Sequence, residues 1–177
     1  MISGPSGCGK STLCREVLRR TEARLSISAT TRHCSKNETD GVDYYFLSEK
    51  EFKDKIDADE FLEYAQVFEN YYGTPAQPVM EKLKNGQTII LEIDVQGAIQ
   101  VFSRFPEAIG ILVLPPNREI LQQRLSQRGR DNEDTIRKRL TKAEWEIEQA
   151  QNSENFKYTV VNDDLDEAIE KMVRIIE

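Results

Sequence analysis

The chain has 177 residues, 38% of them hydrophobic and 31% charged, with a formal net charge of −7. That length suits one domain with a real core, or one core carrying small inserts, and the composition is ordinary for a globular protein. The acidic balance argues against a nucleic-acid binder, and the longest apolar runs, "TIILEI" and "IGILVLPP", fall far short of the roughly 20 residues that span a bilayer.

In chain order, Met1, Ile2 and Ser3 precede a glycine-rich loop and are too few for a central strand, so that strand is expected to begin upstream of this chain. "KSTLCREVLRR" reads as a helix with Leu13, Val17 and Leu18 on one face, and "RLSIS" as a short strand. Ser48 and Glu51 form a capping box that opens a short helix with Phe52 and Ile56 on one face. "FLEYAQVF" and "NYYGT" read as two strands joined tightly, and "QPVMEKLKNG" as a helix stopped by Gly86. "TIILEID" is a continuous apolar run, the pattern of a strand buried on both faces. "VQGAIQVFSRF" then sets Val95, Ala98, Ile99, Phe102 and Phe105 on a helical stripe, and "IGILVLPP" is a second buried strand ended by prolines. Two helices follow, over residues 117–128 and 132–151, the second with Ile136, Leu140, Ala143, Ile147 and Ala150 in period. "KYTVVN" is a last strand and "DLDEAIEKMVRII" a closing helix.

Strands alternating with helices predict an α/β fold, a mostly parallel sheet flanked by helices on both faces. Residues 30–75, rich in short strands and aromatics, read as a small β-rich insert, and residues 128–140 as a second, mobile excursion. The three cysteines (Cys8, Cys14, Cys34) are odd in number and lack metal-ligand spacing; they are expected to be reduced thiols in a cytoplasmic protein, and no signal peptide opens the chain. Residues 118–142 hold eight Lys/Arg against four Asp/Glu, either a solvated helix face, the favoured reading, or a seat for a polyanion.

"GPSGCGKS" fits G-x-x-x-x-G-K-[S/T]. In that pattern Gly4, Gly7 and Gly9 allow a tight turn whose N–H groups face a phosphate chain, and the helix starting near Lys10 points its positive end at the same place. Pro5, Ser6, Cys8 and Thr12 complete the cradle; Lys10 reaches terminal phosphates and Ser11 can hold Mg²⁺. Asp94, at the end of a buried strand, is where a second carboxylate would organise Mg²⁺ through water. "DVQG" also fits the D-x-x-G of GTPases, but no N-K-x-D follows, so a small phosphoryl-transfer enzyme with a small acceptor is the leading class. A nucleotide monophosphate acceptor would need an arginine fork and hydroxyls for its phosphate, and a carboxylate to meet the adjacent N1–H and N2–H₂ donors of guanine.

With these residues in view, the sequence resembles guanylate kinase over essentially its whole length. The resemblance rests on "GPSGCGKST", "SISATTR", "GVDYYF", "FLEYAQV", "NYYGT", "LEIDVQG", "RLSQRG" with a later "RKRL", and "VVNDDL", in family order. It implies a P-loop kinase fold and Mg²⁺-dependent phosphoryl transfer from ATP to GMP, with dGMP also accepted. It also implies a core domain over 1–29, 76–127 and 141–177, a GMP-binding insert over 30–75 and a lid over 128–140. By position, Ser28, Arg32, Tyr44 and Tyr72 would grip the GMP phosphate. Glu63 would read N1 and N2 of guanine, and Thr74 would donate to O6. Arg128 and Arg139 would reach the transferring phosphoryl group, Asp94 would support Mg²⁺ and the acceptor, and Asn162 would lie near adenine. GMP and ATP are the expected partners, with no nucleic acid and no membrane.

Several of these residues have plainer readings. Tyr45 and Tyr71 are expected to be packing residues, and Arg137 a solvated partner of Glu133. His33 and Cys34 are adjacent and unsuited to joint chelation. Glu92 stands where the family usually carries Asp, which weakens any role for it. A larger departure is Ser35, where T-T-R-x-x-R would place a second arginine. A lost charge-assisted contact is worth about 1.5–3 kcal/mol, and Lys36 offers a point charge but no fork. Two other readings stay open: a non-catalytic guanylate-kinase-like module that binds phosphopeptides, against which the intact cradle argues, and a P-loop kinase with another monophosphate acceptor, against which Glu63 and Thr74 argue.

Overall fold

The computed structural model describes residues 1–67, 69–127 and 132–177. Its elements run β1 (Ile2–Ser3), α1 (Lys10–Arg20), β2 (Arg24–Leu25), β3 (Ala29–Thr30), β4 (Tyr45–Phe46), α2 (Glu49–Asp57), β5 (Phe61–Val67), β6 (Asn70–Pro75), α3 (Ala76–Lys84) and β7 (Ile89–Ile90). They continue with α4 (Val95–Arg104), β8 (Ile111–Leu114), α5 (Arg118–Gln127), α6 (Glu133–Gln151), β9 (Tyr158–Val161) and α7 (Leu165–Ile176).

The main sheet is parallel. β1 pairs with β8 and β8 with β9, while β2 pairs with β7. Ile2 joins the two sets: its N–H donates to Leu91 O (2.9 Å), its carbonyl accepts from Ile93 N (3.3 Å), and it bridges Glu92 in parallel. β1, only two residues long, is therefore the central strand, with β7 and β8 on its two sides. The chain leaves β1 toward β2 and later crosses to β8, so the loop after β1 opens at the point where the winding reverses, where open α/β sheets bind ligands.

Successive residues of the buried strands serve opposite faces. Ile111 and Val113 pack with Ile2, Leu13, Val17, Val160, Ile169 and Met172, under α1 and α7. Leu112 packs on the other side with Val95 and Ala150 of α4 and α6. This two-sided burial is why "TIILEI" and "IGILVL" read as unbroken apolar runs rather than alternating ones. The regular strands are shorter than the runs: "RLSIS" is strand only at Arg24–Leu25, and "TIILEID" at Ile89–Ile90, with hydrogen bonds carrying the pairing beyond them at Ser26 and Ile2.

A second sheet lies apart, in the order β4-β3-β6-β5, with β3–β4 parallel and the other pairs antiparallel. Its core is aromatic. Phe52 of α2, fully buried, stacks on Phe61 (4.5 Å) and Tyr71 (5.5 Å). Tyr45 and Tyr71 pack on this cluster, as expected. The capping box of α2 forms as read: Ser48 Oγ accepts from Glu51 N and Glu51 Oε2 from Ser48 N.

Two stripes need correction. On α4, Ile99 is 41% exposed and Val101 takes its place in the core, because the helix is buried both toward β5 and toward the sheet. On α6, Glu146 sits on the buried stripe between Ala143 and Ala150. Arg137, expected against Glu133, has Asp134 at 3.7 Å. Phe68 and the first four residues of the expected lid, 128–131, Arg128 among them, lie outside the described residues.

Candidate active site

The cradle residues follow β1 directly. Gly9 caps α1 with φ 97°, a left-handed conformation, and a Cβ there would overlap Asn162 Nδ2. Both facts require glycine. Asn162, buried at the end of β9, donates from Nδ2 to Cys8 O (2.8 Å), so the loop's shape is fixed from across the sheet. Lys10 Nζ donates to Gly4 O (2.6 Å) and Pro5 O (3.1 Å) and lies over the loop it belongs to. Arg139 Nη1 donates to Ser6 Oγ at 3.2 Å, bringing α6 onto the cradle. Burial pushes the Cys8 thiol up, so it stays neutral among these cations.

A cavity of about 310 Å³ opens beside the loop, lined by Gly7, Gly9, Thr12, Arg124, Asn162, Asp163 and Leu165. Arg124 Nη2 donates to Asn162 O (2.9 Å) at its wall. The sequence reading chose Asn162 and Thr12 here and passed over Arg124, which sits only four residues ahead of the arginine that it did choose.

On the opposite side of Ser11 stands a carboxylate. Ser11 Oγ donates to Glu92 Oε1 at 2.5 Å. Glu92 is the residue to which the sequence reading gave little weight. Asp94 has other neighbours: it caps α4, accepting from Gly97 N at 2.8 Å, and its Oδ2 lies 3.7 Å from Lys142 Nζ. Lys142 also lies 3.5 Å from Glu146, whose carboxyl is pushed up by burial and drawn back by Lys142. Neither Lys142 nor Glu146 was chosen from sequence; the signal was an acid in register with Ala143 and Ala150.

The insert brings Arg32, Tyr44 and Tyr72 together. Tyr44 and Tyr72 meet edge to face at 6.1 Å, and the Arg32 guanidinium lies 5.5 Å from the Tyr44 ring centroid. Burial raises the Tyr44 phenol to about 12, so it is a neutral donor at any ordinary pH. Arg32 forms a two-pronged pair with Glu38, Nη1 to Oε2 at 2.9 Å and Nη2 to Oε1 at 2.7 Å. That pair holds the Glu38 carboxyl down at about 2 and raises Arg32 further. Ser35 serves the same pair: its hydroxyl accepts from Arg32 Nη1 (3.1 Å) and its N–H donates to Glu38 Oε2 (2.9 Å). Glu38 was not chosen from sequence, since a lone acid in a polar loop gives no periodic signal. Ser28, half-buried, leads into β3, its carbonyl accepting from Tyr45 N at 2.9 Å.

Glu63 and Thr74 face each other across β5 and β6. Thr74 Oγ1 donates to Glu63 Oε1 at 2.6 Å, and both residues are buried. Burial pushes the Glu63 carboxyl up to about 7; the Thr74 hydroxyl opposes the shift and the charge of Asp94 adds to it. Glu63 is thus a buried carboxyl with a single hydroxyl partner, not a solvated surface charge.

Comparisons with known proteins agree with the geometry. The guanylate kinase family profile matches residues 1–177. A guanylate kinase from Caldanaerobacter subterraneus subsp. tengcongensis is 45% identical, the match covering 99% of this chain and 84% of the relative. One from Synechocystis is 48% identical, covering 99% and 91%. The crystal structure of guanylate kinase from Anaplasma phagocytophilum superposes with a TM-score of 0.79 at 31% identity, over 98% of this chain and 81% of that one. With its cradle, its buried Glu63–Thr74 pair and these relatives, this chain belongs to the guanylate kinase family.

Proposed function

We propose that the chain transfers the terminal phosphoryl group of ATP to GMP, and to dGMP, giving ADP and GDP or dGDP. The observation that carries this reading is the buried Glu63 carboxylate, paired with Thr74 on a separate sheet, in a chain that also holds an intact phosphate cradle. Adjacent N–H donors on guanine can satisfy such a carboxylate; an adenine edge cannot. A phosphopeptide-binding module is disfavoured, since it has no need of Lys10 and Ser11.

In this reading, Gly4, Pro5, Ser6, Gly7, Cys8 and Gly9 wrap the donor phosphates, Lys10 leaves Gly4 O and Pro5 O for them, and the cavity beside Asn162 takes the adenosine. Thr12 lines that cavity. Ser28, Arg32, Tyr44 and Tyr72 hold the acceptor phosphate, Arg139, already on Ser6, covers the transferring group, and Arg128 is expected to add its charge to the same group. No general base is needed, because the acceptor phosphate is itself a nucleophile; the work is charge neutralisation and alignment. The donor set around Ser11, a hydroxyl and the Glu92 carboxylate with Asp94 acting through water, consists of the hard oxygens that Mg²⁺ takes. When bound, Mg²⁺ would offset the negative charge that gathers on the donor phosphates.

We further infer a core over 1–29, 76–127 and 141–177, closed over its ligands by the insert at 30–75 and a lid at 128–140. The setting is cytoplasmic purine nucleotide metabolism: the buried thiols of Cys8 and Cys14 suit a reducing compartment, and among the described residues no helix is long and apolar enough to cross a membrane. An ADP-release assay with GMP, dGMP, AMP, UMP and dTMP tests the reading. GMP should be the preferred acceptor; preference for any non-guanine monophosphate, or no ADP release at all, overturns it.

A further inference from the structure

Gly97 lies in the first turn of α4 and is buried. Glycine is a poor helix former, and its φ here is not one that demands glycine. Its neighbour supplies the reason. A Cβ on Gly97 would overlap Glu63 Oε2 and stand 2.9 Å from Glu63 Cδ and 3.4 Å from Cγ. The other carboxylate oxygen, Oε1, accepts from Thr74 Oγ1 at 2.6 Å. The carboxylate thus lies between a hydroxyl on β6 and the bare backbone of α4.

The helix is also fastened to the strand that carries Glu63. Gln100 accepts from Tyr64 N at 3.2 Å and donates to Tyr64 O at 2.7 Å, pairing with that residue as a neighbouring strand would. Arg104 Nη1 donates to Phe61 O at 2.8 Å, and its guanidinium reaches Asp59. With α4 tied to β5 on both sides of Glu63, a methyl at position 97 cannot be absorbed by a shift of the helix. The flexible end of Glu63 has to move instead.

We propose that Gly97 is a specificity-positioning residue: the missing side chain in the first turn of α4 sets where the Glu63 carboxylate lies, and with it the discrimination of guanine from a purine lacking the 2-amino group. The inference rests on the reading of Glu63 as the guanine contact given above. A carboxylate facing two adjacent N–H donors needs both oxygens in the plane of the base, so a displaced one loses the second donor first.

Gly97→Ala tests it, with GMP and inosine monophosphate as acceptors. The variant should fold, since the clash is with a side-chain end and alanine favours the helix. kcat/KM for GMP should fall roughly ten- to a hundredfold, the preference for GMP over inosine monophosphate should shrink toward one, and KM for ATP should not change. Glu63→Asp, one methylene shorter, makes room, so Gly97→Ala should cost less in that background. An unchanged preference, or an equal loss with and without Glu63→Asp, overturns the proposal, because a merely structural role would lower both acceptors together. A crystal structure of Gly97→Ala gives a readout apart from turnover: the Glu63 carboxylate should leave Thr74 Oγ1, and a carboxylate still in place overturns the contact. If the unsubstituted chain does not phosphorylate GMP, the reading of Glu63 fails and the specificity role with it, while that crystal structure still decides the contact.

Discussion

Between Gly4 and Ser11 the candidate site is made of backbone; between Arg32 and Thr74 it is made of side chains. The loop after β1 holds its shape because Gly9 turns left-handed and Asn162 pins Cys8 O from across the sheet. The shape of the cradle thus rests on backbone conformation and on one asparagine. The insert works otherwise. Arg32 is aimed by Glu38 and Ser35, and Glu63 by Thr74 and Gly97, each an individual pairing that one substitution can redirect. The two regions also have separate cores, one under α1 and α7 and one around Phe52. Donor and acceptor sites can therefore be perturbed independently.

The largest effect expected is on the donor side. Lys10→Ala removes the only side-chain cation of the loop, and turnover should fall by about two to three orders of magnitude. GMP binding without ATP, measured by calorimetry, should be unaltered, and so should the unfolding temperature. Loss of GMP binding in this variant would break the independence of the two halves.

On the acceptor side, Ser35→Arg should lower KM for GMP by roughly tenfold, leaving KM for ATP as it is. Ser35 now gives its hydroxyl and its N–H to the Arg32–Glu38 pair. An arginine there would draw on Glu38 as well and restore a second fork for the phosphate. Steady-state kinetics with each substrate varied in turn decides it. An unchanged KM for GMP would mean that Lys36 already supplies the charge, and that side-chain pairing matters less here than the contrast between the regions requires.

The same contrast explains what could be read from sequence. The cradle was legible because its residues are contiguous and their spacing is the mechanism. The order of strands and helices was legible because two-sided burial leaves unbroken apolar runs. Glu38 was not, because a loop acid acquires meaning only from the arginine it meets. Glu92 and Asp94 share a strand end, and only the structure shows that Glu92 reaches Ser11 while Asp94 turns to cap α4. Ile99 shares its stripe with Val95, Ala98 and Phe102, which are buried, but on a helix buried from two directions Val101 takes its place in the core. Glu146 lies in helical register with Ala143 and Ala150, but an acid gives no apolar signal and the stripe read from sequence left it out.

The smallest effect separates the two carboxylates of the acceptor region by pH. Arg32 holds the Glu38 carboxyl at about 2, so the stability it contributes is present above the ordinary carboxyl range and is lost only as pH falls toward 2. The phosphate end of the insert should thus be constant from pH 6 to 8. Glu63 behaves oppositely. Burial holds its carboxyl at about 7, so the folded state favours the protonated form and loses stability as pH rises through that value. Only the ionised form can accept from both N–H groups of guanine. KM for GMP should therefore fall several-fold between pH 6 and 8, by at most about tenfold per pH unit, while KM for ATP stays flat. The second ionisation of the GMP phosphate, near pH 6, adds its own slope below 7, and Glu63→Gln isolates it by removing only the step near 7. A profile for GMP that is the same with and without Glu63→Gln would take Glu63 out of base recognition and leave the acceptor region reading its ligand through the phosphate alone.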